Sequence, residues 1–296
     1  MPDVIYTDDL RKILSDKSLD IILVTTPNRT HYAIAKQLLE DGFNVLVDKP
    51  FSLYVDEAEK LIKIAEKKGL FIQPYQNRRF DSDFLTAQKV IRDGVLGDLI
   101  EVEFHFDYYR PQVPRGLSLK RENSFIYSHG CHTIDQILSF FGIPRKVHYD
   151  MRQLNGKNKM NDYYDIDMDY GEFKVSAKAS YYRVNSRPAI IVTGKNGQFV
   201  KKGHDKQEAH LKLGYMPGQP DFGVDDPSEY GMVSFYDEKG NYHRETVKSC
   251  RGDYADFYRQ IYGMLTGPSN PPVSKEEILV QMAILEDGYQ ALVNRG

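Results

Sequence analysis

Four polar segments of the sequence carry side chains that could bind a small molecule and move a proton. They are residues 25–31, 48–50, 74–80 and 128–136, which read TTPNRTH, DKP, PYQNRRF and SHGCHTIDQ. Histidine suits proton transfer because its ordinary pKa is about 6.5, and the ammonium of a lysine can polarise an oxygen. The candidate side chains are Thr26, Pro27, Asn28, His31, Asp48, Lys49, Gln76, Asn77, His129, His132 and Asp135.

Each segment also has an ordinary structural interpretation. Thr, Pro and Asn form turns, a strand-end lysine is most often a surface residue, and a histidine at a helix start often caps the helix or is buried. His132 and Asp135 are three residues apart and therefore share a helix face. The first three segments, however, follow successive predicted strands of a parallel sheet, where ligands bind at the carboxyl ends. Their convergence on one crevice favours the functional interpretation.

Residues 1–98 are predicted to form a parallel sheet covered by helices. The run 21–25 is continuously apolar, which is typical of a strand buried on both faces. Thr7 is the expected N-cap of a first helix and Thr30 that of a second. The alternation of strands and helices predicts a Rossmann-type, doubly wound α/β fold, with further strands at 45–47 and 70–72 and helices at 55–68 and 82–93.

Residues 99–296 are predicted to form a second, α+β domain. Successive β-rich runs without helices between them predict a large, mostly antiparallel sheet, with strands at 163–170, 172–183, 188–193 and 197–202. Helices are expected at 129–141, 253–265 and 275–292, and the last two could pack back on the first domain. Ser274 begins a capping box, and residues 214–230 are expected to form a long loop.

The composition is that of a globular protein and argues against several classes of function. The chain has 296 residues, of which 41% are hydrophobic and 27% charged. Its net charge of −3 offers no basic footprint for nucleic acid. No apolar run approaches the length of about 18 residues needed to cross a bilayer. Two cysteines form neither a disulfide framework nor a metal motif, and a cytoplasmic location is expected.

Two kinds of charged cluster are interpreted as structural. The pairs Arg78–Arg79 and Lys201–Lys202 are short, and a solvated face is the favoured interpretation. The acidic strand at 165–169 lacks the glycine and glutamate that an EF-hand loop requires at the matching positions. No metal site is therefore expected.

The phosphate-binding motif of dinucleotide-binding folds is absent from the sequence. No G-x-G-x-x-G occurs, so no such turn is available to bring backbone N–H groups against a pyrophosphate. The P-loop, G-x-S-x-G and H-E-x-x-H motifs are absent as well. Two β-α units before Val4, about 60 residues in total, are expected to be missing.

Several ordered strings resemble the family of glucose–fructose oxidoreductase and inositol dehydrogenase, the Gfo/Idh/MocA family. They are TTPNRTH, VDKP, PYQNRRF, GDLIEVEF, HGCHTIDQILSFFG, GDYADFY and PPVSKEEIL, which together extend along the whole chain. The resemblance implies hydride transfer between NAD or NADP and a hydroxyl-bearing carbon of a sugar, polyol or related metabolite. It also implies that Lys49 lies beside nicotinamide and substrate and that the Lys49–Pro50 peptide is cis. Asp48 stands in place of the usual Glu.

One departure from the family pattern affects the expected catalytic groups. Many dehydrogenases of the family carry Asp four residues before the helix-start histidine, and Ser128 occupies that position here. Serine cannot hold a charge that activates His132, so Lys49 and His132 become the expected catalytic pair. The cofactor is expected to contact Thr26, Pro27, Asn28, His31, Asp48, Lys49, Gln76 and Asn77, and the substrate Lys49, Tyr127, His129, His132 and Asp135.

Two alternatives to an active oxidoreductase remain open. The chain could be a non-catalytic family remnant that keeps the sheet domain and binds no cofactor, or a sugar-binding module without redox chemistry. A homodimer or homotetramer is expected, because a large sheet with one uncovered face usually buries that face against a partner. The aromatic residues expected in this sheet are Tyr163, Tyr164, Tyr170, Phe173, Tyr181 and Tyr182.

Overall fold

A three-stranded parallel sheet begins the fold in the computed structural model, which describes residues 4–294. In chain order the elements of this half are α1 (Leu10–Ser15), β1 (Ile21–Val24), α2 (His31–Glu40), β2 (Asn44–Val47), α3 (Val55–Lys68), β3 (Ile72–Pro74) and α4 (Ser82–Arg92). The strands lie in the order β1-β2-β3, and Leu23 is paired with Leu46. The predicted Rossmann-type parallel sheet is confirmed.

Local hydrogen bonds at the starts of two helices differ from the predicted caps. Asp9 rather than Thr7 caps α1, because its Oδ1 atom accepts a hydrogen bond from the backbone N–H of Arg11 at 3.0 Å. Thr30 directly precedes α2, but its hydroxyl donates to the carbonyl of Pro27 at 2.7 Å and makes no cap bond. Thr30 therefore stabilises the turn after β1 through its bond to Pro27 and does not cap α2 as predicted.

The third strand begins two residues later than predicted, at Ile72 instead of 70. Gly69 ends α3 in the left-handed conformation, with a φ of 66°. The N–H of Leu70 then donates to the carbonyl of Ala65 at 2.9 Å, which keeps this segment in the end of the helix. The predicted inward stripe of α3 is confirmed by the burial of Ala58, Leu61, Ile62 and Ala65.

An eight-stranded sheet forms the second half. Its elements are β4 (Leu99–His105), α5 (Gln112–Gly116), α6 (Cys131–Phe141), β5 (Lys146–Arg152), β6 (Tyr163–Asp169), β7 (Lys174–Ser180), β8 (Ile190–Gly194), β9 (Gly197–Lys201), α7 (Gln207–Lys212), β10 (Gly231–Tyr236), β11 (Tyr242–Val247), α8 (Ala255–Thr266) and α9 (Lys275–Asn294). The strand order is β11-β10-β9-β8-β4-β7-β6-β5. Among these described strands β4 and β7 are parallel and the other neighbours antiparallel, so the predicted mostly antiparallel sheet is confirmed.

Strands β5, β10 and β11 are missing from the prediction. In β5 the apolar residues Val147, Tyr149 and Met151 do alternate, so its signal was present in the sequence. Strand β11 is mostly exposed and has no apolar alternation that could reveal it. The capping box at the start of α9 is confirmed, because the N–H of Glu277 donates to Ser274 Oγ at 3.2 Å and the Glu277 carboxylate accepts from the Ser274 N–H at 2.7 Å.

Helices join the two sheets into one structure. Helix α9 packs against α3 of the first half and against α6 and β5 of the second. Helix α8 packs on the first sheet, where Leu46, Phe257 and Ile261 form a buried cluster. Leu46 alternates with Val45 and Val47, so α8 covers the sheet face opposite to these two valines. No helix within residues 4–294 is long and apolar enough to cross a membrane.

Strand β1 forms an open edge of the first sheet. Within residues 4–294 it pairs with β2 alone, and the side chain of Leu23 is exposed. Helix α1, which precedes it, has no buried residue. The backbone donors and acceptors on the outer side of β1 are thus available for pairing with another strand.

Replacement of Ile134 by alanine should lower the free energy of unfolding by about 2–5 kcal/mol, because truncation of a buried side chain leaves a cavity. Ile134 is fully buried on α6, the helix that packs on the large sheet. Urea unfolding followed by circular dichroism measures the change. Ile143 is 45% exposed, and Ile143→Ala is a matched control that should cost less than about 0.5 kcal/mol. Equal losses in both variants would contradict this assignment of the core.

Candidate active site

A cavity of about 250 Å³ lies where the two halves meet, beyond the carboxyl ends of β2 and β3. The first half contributes residues that directly follow these strands, and the second half contributes residues from the start of α6, from α7 and from the segment before α8. The lining consists of Asp48, Lys49, Tyr75, Asn77, Arg78, Tyr108, His129, His132, Glu208, Leu211 and Tyr254. Five predicted site residues thus lie together here: Asp48, Lys49, Asn77, His129 and His132.

Lys49 reaches across the junction between the halves. The Lys49–Pro50 peptide is cis, as expected. The backbone N–H of Lys49 donates to the Asp48 carboxylate at 2.8 Å. Its Nζ atom donates to the carbonyl of Ser128 at 3.2 Å. The ammonium group is therefore held at the cavity by a backbone acceptor from the second half.

A π-helical turn over Ile126–Gly130 leads into α6, so the α-helix begins two residues later than predicted. Asn161 supports this turn, because its side-chain oxygen accepts from the N–H of Ile126 at 3.1 Å and from the Ser124 hydroxyl at 3.3 Å. Turns of this kind are frequent at functional sites. This one places Ser128 and His129 beside the cavity, immediately before the helix that carries His132.

His129 is held by three aromatic rings and one hydroxyl. Its ring centroid lies 5.3 Å from that of Phe106, 5.4 Å from Tyr108 and 4.9 Å from Phe125. Its Nδ1 atom lies 2.9 Å from Ser128 Oγ. Burial, and then the positive charges of Lys49 and Arg78, lower the pKa of His129 to about 3. The imidazole is accordingly neutral at neutral pH.

His132 is also buried and neutral. Burial and the neighbouring charges of Lys49 and Arg78 lower the pKa of His132 well below its ordinary value. Its Nδ1 atom is buried without a hydrogen-bond partner among the described residues. A neutral imidazole that lines the cavity and carries a lone pair is able to accept a proton.

Arg78 is a site residue that the sequence analysis missed, and its interpretation as part of a solvated cluster is wrong. Its side chain is only 11% exposed and forms ion pairs with Asp81, at 3.1 Å, and with Glu208 of α7. The guanidinium also lies over the ring of Phe106, 5.4 Å from its centroid. Because Glu208 is 130 residues away in the chain, no local motif announces this pair.

Helix α7 brings Glu208 and Leu211 to the cavity, and buried polar contacts hold the segments around it. Lys201 was also assigned to a solvated cluster, but its side chain is fully buried. Its Nζ atom forms an ion pair with the Asp225 carboxylate at 3.0 Å, although the carboxylate oxygens accept no hydrogen bond from the described residues. Its Nζ atom donates to the carbonyl of Glu229 at 2.7 Å. The predicted loop at 214–230 is therefore tied to β9 across α7.

Asp135, predicted to contact substrate, binds Arg79 and is not among the cavity-lining residues. The guanidinium of Arg79 donates to both carboxylate oxygens of Asp135, at 2.8 and 2.7 Å. It also donates to Glu277 at 3.1 Å and to the carbonyl of Pro272 at 2.6 Å. Both Arg79 and Asp135 are largely buried, with side chains 12% and 3% exposed. The second arginine of the predicted solvated pair is thus a buried link between β3, α6 and α9.

Three other predicted site residues are buried and are not among the cavity-lining residues. The ring nitrogens of His31 lie 2.9 Å from the carbonyl of Pro50 and 2.8 Å from that of Thr26. Tyr127 donates to the carbonyl of Leu53 at 3.1 Å. The Nε2 atom of Gln76 donates a hydrogen bond to the side-chain oxygen of Gln281 at 3.0 Å. These side chains support the backbone around the site instead of lining it.

The first predicted segment also lies outside the cavity lining. Thr26 and Pro27 are exposed after β1, and the hydroxyl of Thr26 lies 2.7 Å from that of Thr30. The side-chain amide of Asn28 donates to the carbonyl of Glu122 at 3.2 Å. This turn therefore contacts the second half through Asn28 and leaves two residues facing solvent.

The family follows from two matching models and a close relative. An oxidoreductase family model described as an NAD-binding Rossmann fold matches residues 2–76, and that of its C-terminal alpha/beta domain matches residues 88–295. The uncharacterized oxidoreductase YhhX of Escherichia coli (strain K12) is 41% identical over 285 residues, which are 96% of this chain and 82% of that protein. The chain belongs to the Gfo/Idh/MocA oxidoreductase family.

Further members of the Gfo/Idh/MocA family agree with this assignment. The scyllo-inositol 2-dehydrogenase (NADP(+)) IolW of Bacillus subtilis (strain 168) is 30% identical over 292 residues, covering 98% of this chain and 81% of that protein. A solved oxidoreductase from Bacillus cereus superposes with a TM-score of 0.91 at 38% identity, covering 96% of this chain and 81% of that one. Both the sequence resemblance and the fold class expected from it are confirmed.

The residues present fit one end of the nicotinamide cofactor used in the Gfo/Idh/MocA family. Asp48, Lys49 and Asn77 follow the Rossmann strands and line the cavity, and His132 lines it from the second half. These polar groups suit a nicotinamide ring with a substrate beside it. The chain contains no glycine-rich turn of the G-x-G-x-x-G type to fit the phosphates.

The imidazole of His129 should stay neutral far below the ordinary histidine pKa of 6.5. Between that value and about pH 3 the unfolded chain binds a proton that the folded chain does not. The free energy of unfolding should therefore fall as the pH falls through this window, by at most about 1.4 kcal/mol per pH unit. An NMR pH titration of the histidine Cε1–H signals, assigned with His129→Gln, measures the shift. A midpoint near 6.5 would contradict it.

Proposed function

We propose that the chain is a nicotinamide-dependent oxidoreductase that acts on a hydroxyl-bearing carbon of a sugar, polyol or related metabolite. The observation that carries this proposal is the shared cavity, where the ammonium of Lys49 from one half meets two neutral histidines from the other. Family membership supports the same reaction class. The alternatives are a family remnant that binds no cofactor and a binding module without redox chemistry.

The proposed roles follow from the charge that moves. When bound, the nicotinamide ring supplies the acceptor or donor of the hydride. Lys49 polarises the oxygen of the reacting carbon, since its ammonium is fixed at the cavity by the Ser128 carbonyl. His132 takes the hydroxyl proton during oxidation and returns it during reduction. Arg78 and Glu208 hold another part of the cavity wall through their ion pair.

For the cofactor, we propose that the exposed turn at Thr26 and Pro27 and the strand-end residues Asp48, Lys49 and Asn77 make direct contacts. Asn28, His31 and Gln76 then act through the backbone positions that they stabilise. The NADP(+) in the name of the relative IolW makes NADP the first cofactor to test.

For the substrate, the balance of charge favours an uncharged hydroxylated molecule. Lys49 and Arg78 are matched by Asp48 and Glu208, and both lining histidines are neutral. Hydroxyl groups can donate to the carboxylates and neutral imidazoles and accept from the cations. Because IolW is named a scyllo-inositol dehydrogenase, scyllo-inositol is the first substrate to test.

Lys49→Ala should lower kcat for scyllo-inositol oxidation with NADP(+) by about 100- to 1,000-fold, since one preorganised group that stabilises oxygen charge has this worth. The appearance of NADPH absorbance measures turnover. Lys195→Ala is the matched control, because Lys195 is a solvent-exposed lysine far from the cavity lining, and its kcat should equal that of the wild type. Turnover by Lys49→Ala at the wild-type rate would refute the role of Lys49.

Titration with NADPH and NADH, followed by cofactor fluorescence, separates the competing functions. Saturable binding of either cofactor supports the oxidoreductase. Absence of binding by a folded chain would favour the remnant, and scyllo-inositol binding without cofactor binding would favour the sugar-binding module. Circular dichroism of the same sample establishes that the chain is folded.

We also propose that copies of the chain associate through the face of the large sheet opposite α6. On this face Lys174 pairs with Glu101 at 3.0 Å, and Lys178 pairs with Glu103 at 2.9 Å and Asp165 at 3.7 Å. The predicted aromatic patch needs correction, because the rings of Tyr164 and Tyr181 are buried beside Phe125 on the helix side. Rows of paired, half-buried charges thus make up much of this face, and Tyr164 and Tyr181 are not part of it.

Light scattering should give at least twice the chain mass of 34.2 kDa. Lys178→Glu would put a carboxylate beside those of Glu103 and Asp165, three in all. This variant should shift the protein toward monomer, because like charges in an interface repel. Lys195→Glu on the exposed surface is the control and should keep the wild-type mass. A monomeric wild type would refute association.

A further inference from the structure

We propose that Ser128 fixes His129 in the tautomer protonated at Nδ1 and thereby presents Nε2 of His129 to the cavity as an acceptor for a substrate hydroxyl. Ser128 is the position at which the family resemblance leads one to expect an aspartate. The tautomer stands independently of the proposed function, while the acceptor role for substrate rests on it. Ser128 is a positioning residue in this proposal and His129 a binding residue.

The hydrogen bonds of the Ser128 hydroxyl determine the tautomer. A serine hydroxyl has one hydrogen to donate and two lone pairs to accept with. Ser128 Oγ donates to the carbonyl of Phe125 at 3.3 Å and lies 2.9 Å from Nδ1 of His129. Both contacts are hydrogen bonds only if Nδ1 carries the proton and donates to Oγ. The other tautomer would turn the hydroxyl hydrogen toward Nδ1 and lose the bond to Phe125.

The surroundings of His129 keep the ring neutral and oriented. A neutral imidazole has one N–H and one lone pair, so a proton on Nδ1 leaves Nε2 as an acceptor. Burial, with the nearby cations Lys49 and Arg78, opposes a second proton on the ring. The rings of Phe106, Tyr108 and Phe125 pack around the imidazole and restrict its rotation.

The Nε2 atom is left free for a ligand. His129 lines the cavity, and in the part of the chain that the structure describes no hydrogen bond occupies its Nε2 atom. A group that meets this lone pair must donate a hydrogen, as a hydroxyl does. At Nε2 of His129 the cavity therefore selects a ligand group that donates a hydrogen bond, in addition to the polar contacts offered by Lys49 and Arg78.

The two histidines are distinguished by what lies behind them. Nδ1 of His129 is bonded to a hydroxyl, whereas Nδ1 of His132 is buried without a partner in the described residues. No protein group therefore holds His132 in one tautomer through that nitrogen. A ring fixed in one tautomer suits binding of a hydroxyl. Ser128 also holds Lys49 through its carbonyl, so one residue positions two site groups.

Long-range ¹H–¹⁵N NMR of histidine-labelled protein tests the tautomer, with His129→Gln to assign the signals. The wild type should show His129 with a protonated Nδ1 and an unprotonated Nε2. Ser128→Ala should shift this ring toward the Nε2-protonated form, and Ser128→Thr, which keeps the hydroxyl, should retain the wild-type pattern. An Nε2-protonated His129 in the wild type, or an unchanged pattern in Ser128→Ala, would overturn the proposal. The wild-type spectrum decides even if the alanine variant fails to fold.

Addition of scyllo-inositol tests the acceptor role separately from catalysis. The Nε2 signal of His129 should move to the position of a hydrogen-bonded nitrogen, and the signals of His243, which lies outside the cavity lining, should stay in place. Saturable inositol binding without a shift of Nε2 would overturn the acceptor role. A correct tautomer and an Nε2 shift without any cofactor binding would instead overturn the proposed oxidoreductase function and leave standing the tautomer, with Nε2 as an acceptor for a bound hydroxylated ligand.

Discussion

The guanidinium of Arg79 is the contact on which the geometry of the cavity depends. It lies in the 3-10 turn between β3 and α4 and binds the carboxylates of Asp135 on α6 and Glu277 on α9, together with the carbonyl of Pro272. A buried pair that loses one partner costs about 3–5 kcal/mol, so these elements are held in one arrangement. Since Arg79 directly follows Arg78 and α6 carries His132, the same contact links two elements that carry cavity-lining residues.

Within that frame the π turn before α6 organises the chemistry. The carbonyl of Ser128 receives the ammonium of Lys49, and its hydroxyl faces His129. A charged residue at this position would act through its charge, whereas serine acts through the direction of its hydrogen bonds. The site thus combines two cations, Lys49 and Arg78, and two carboxylates, Asp48 and Glu208, with two neutral rings, which gives it many polar groups and a balanced charge.

The sequence was sufficient for the parallel and antiparallel sheets and for the convergence of Lys49, His129 and His132, because strand ends and a helix start follow from local patterns. The sequence did not show which side chains within a segment line the cavity. Residues 74–80 contain both a lining residue, Asn77, and a framework residue, Gln76, and periodicity does not separate them. The arginine pair was predicted to be solvated because three of its four acidic partners, Glu208, Asp135 and Glu277, are distant in the chain. Six lining residues were not among the predicted site residues: Tyr75, Arg78, Tyr108, Glu208, Leu211 and Tyr254.

The buried pair of Lys201 and Asp225 has a consequence for how this protein can change over generations. Loss of either charge alone strands the other and removes about 3–5 kcal/mol from a total stability of about 5–15 kcal/mol. Single substitutions that remove the charge of Lys201 or of Asp225 are therefore selected against, and the two residues are expected to change together. Leu211, on the helix between them, carries no charge and is under no such coupling, whereas Glu208 is coupled to Arg78 through their ion pair. Lineages can alter the cavity wall through α7 while its supporting loop is inherited unchanged.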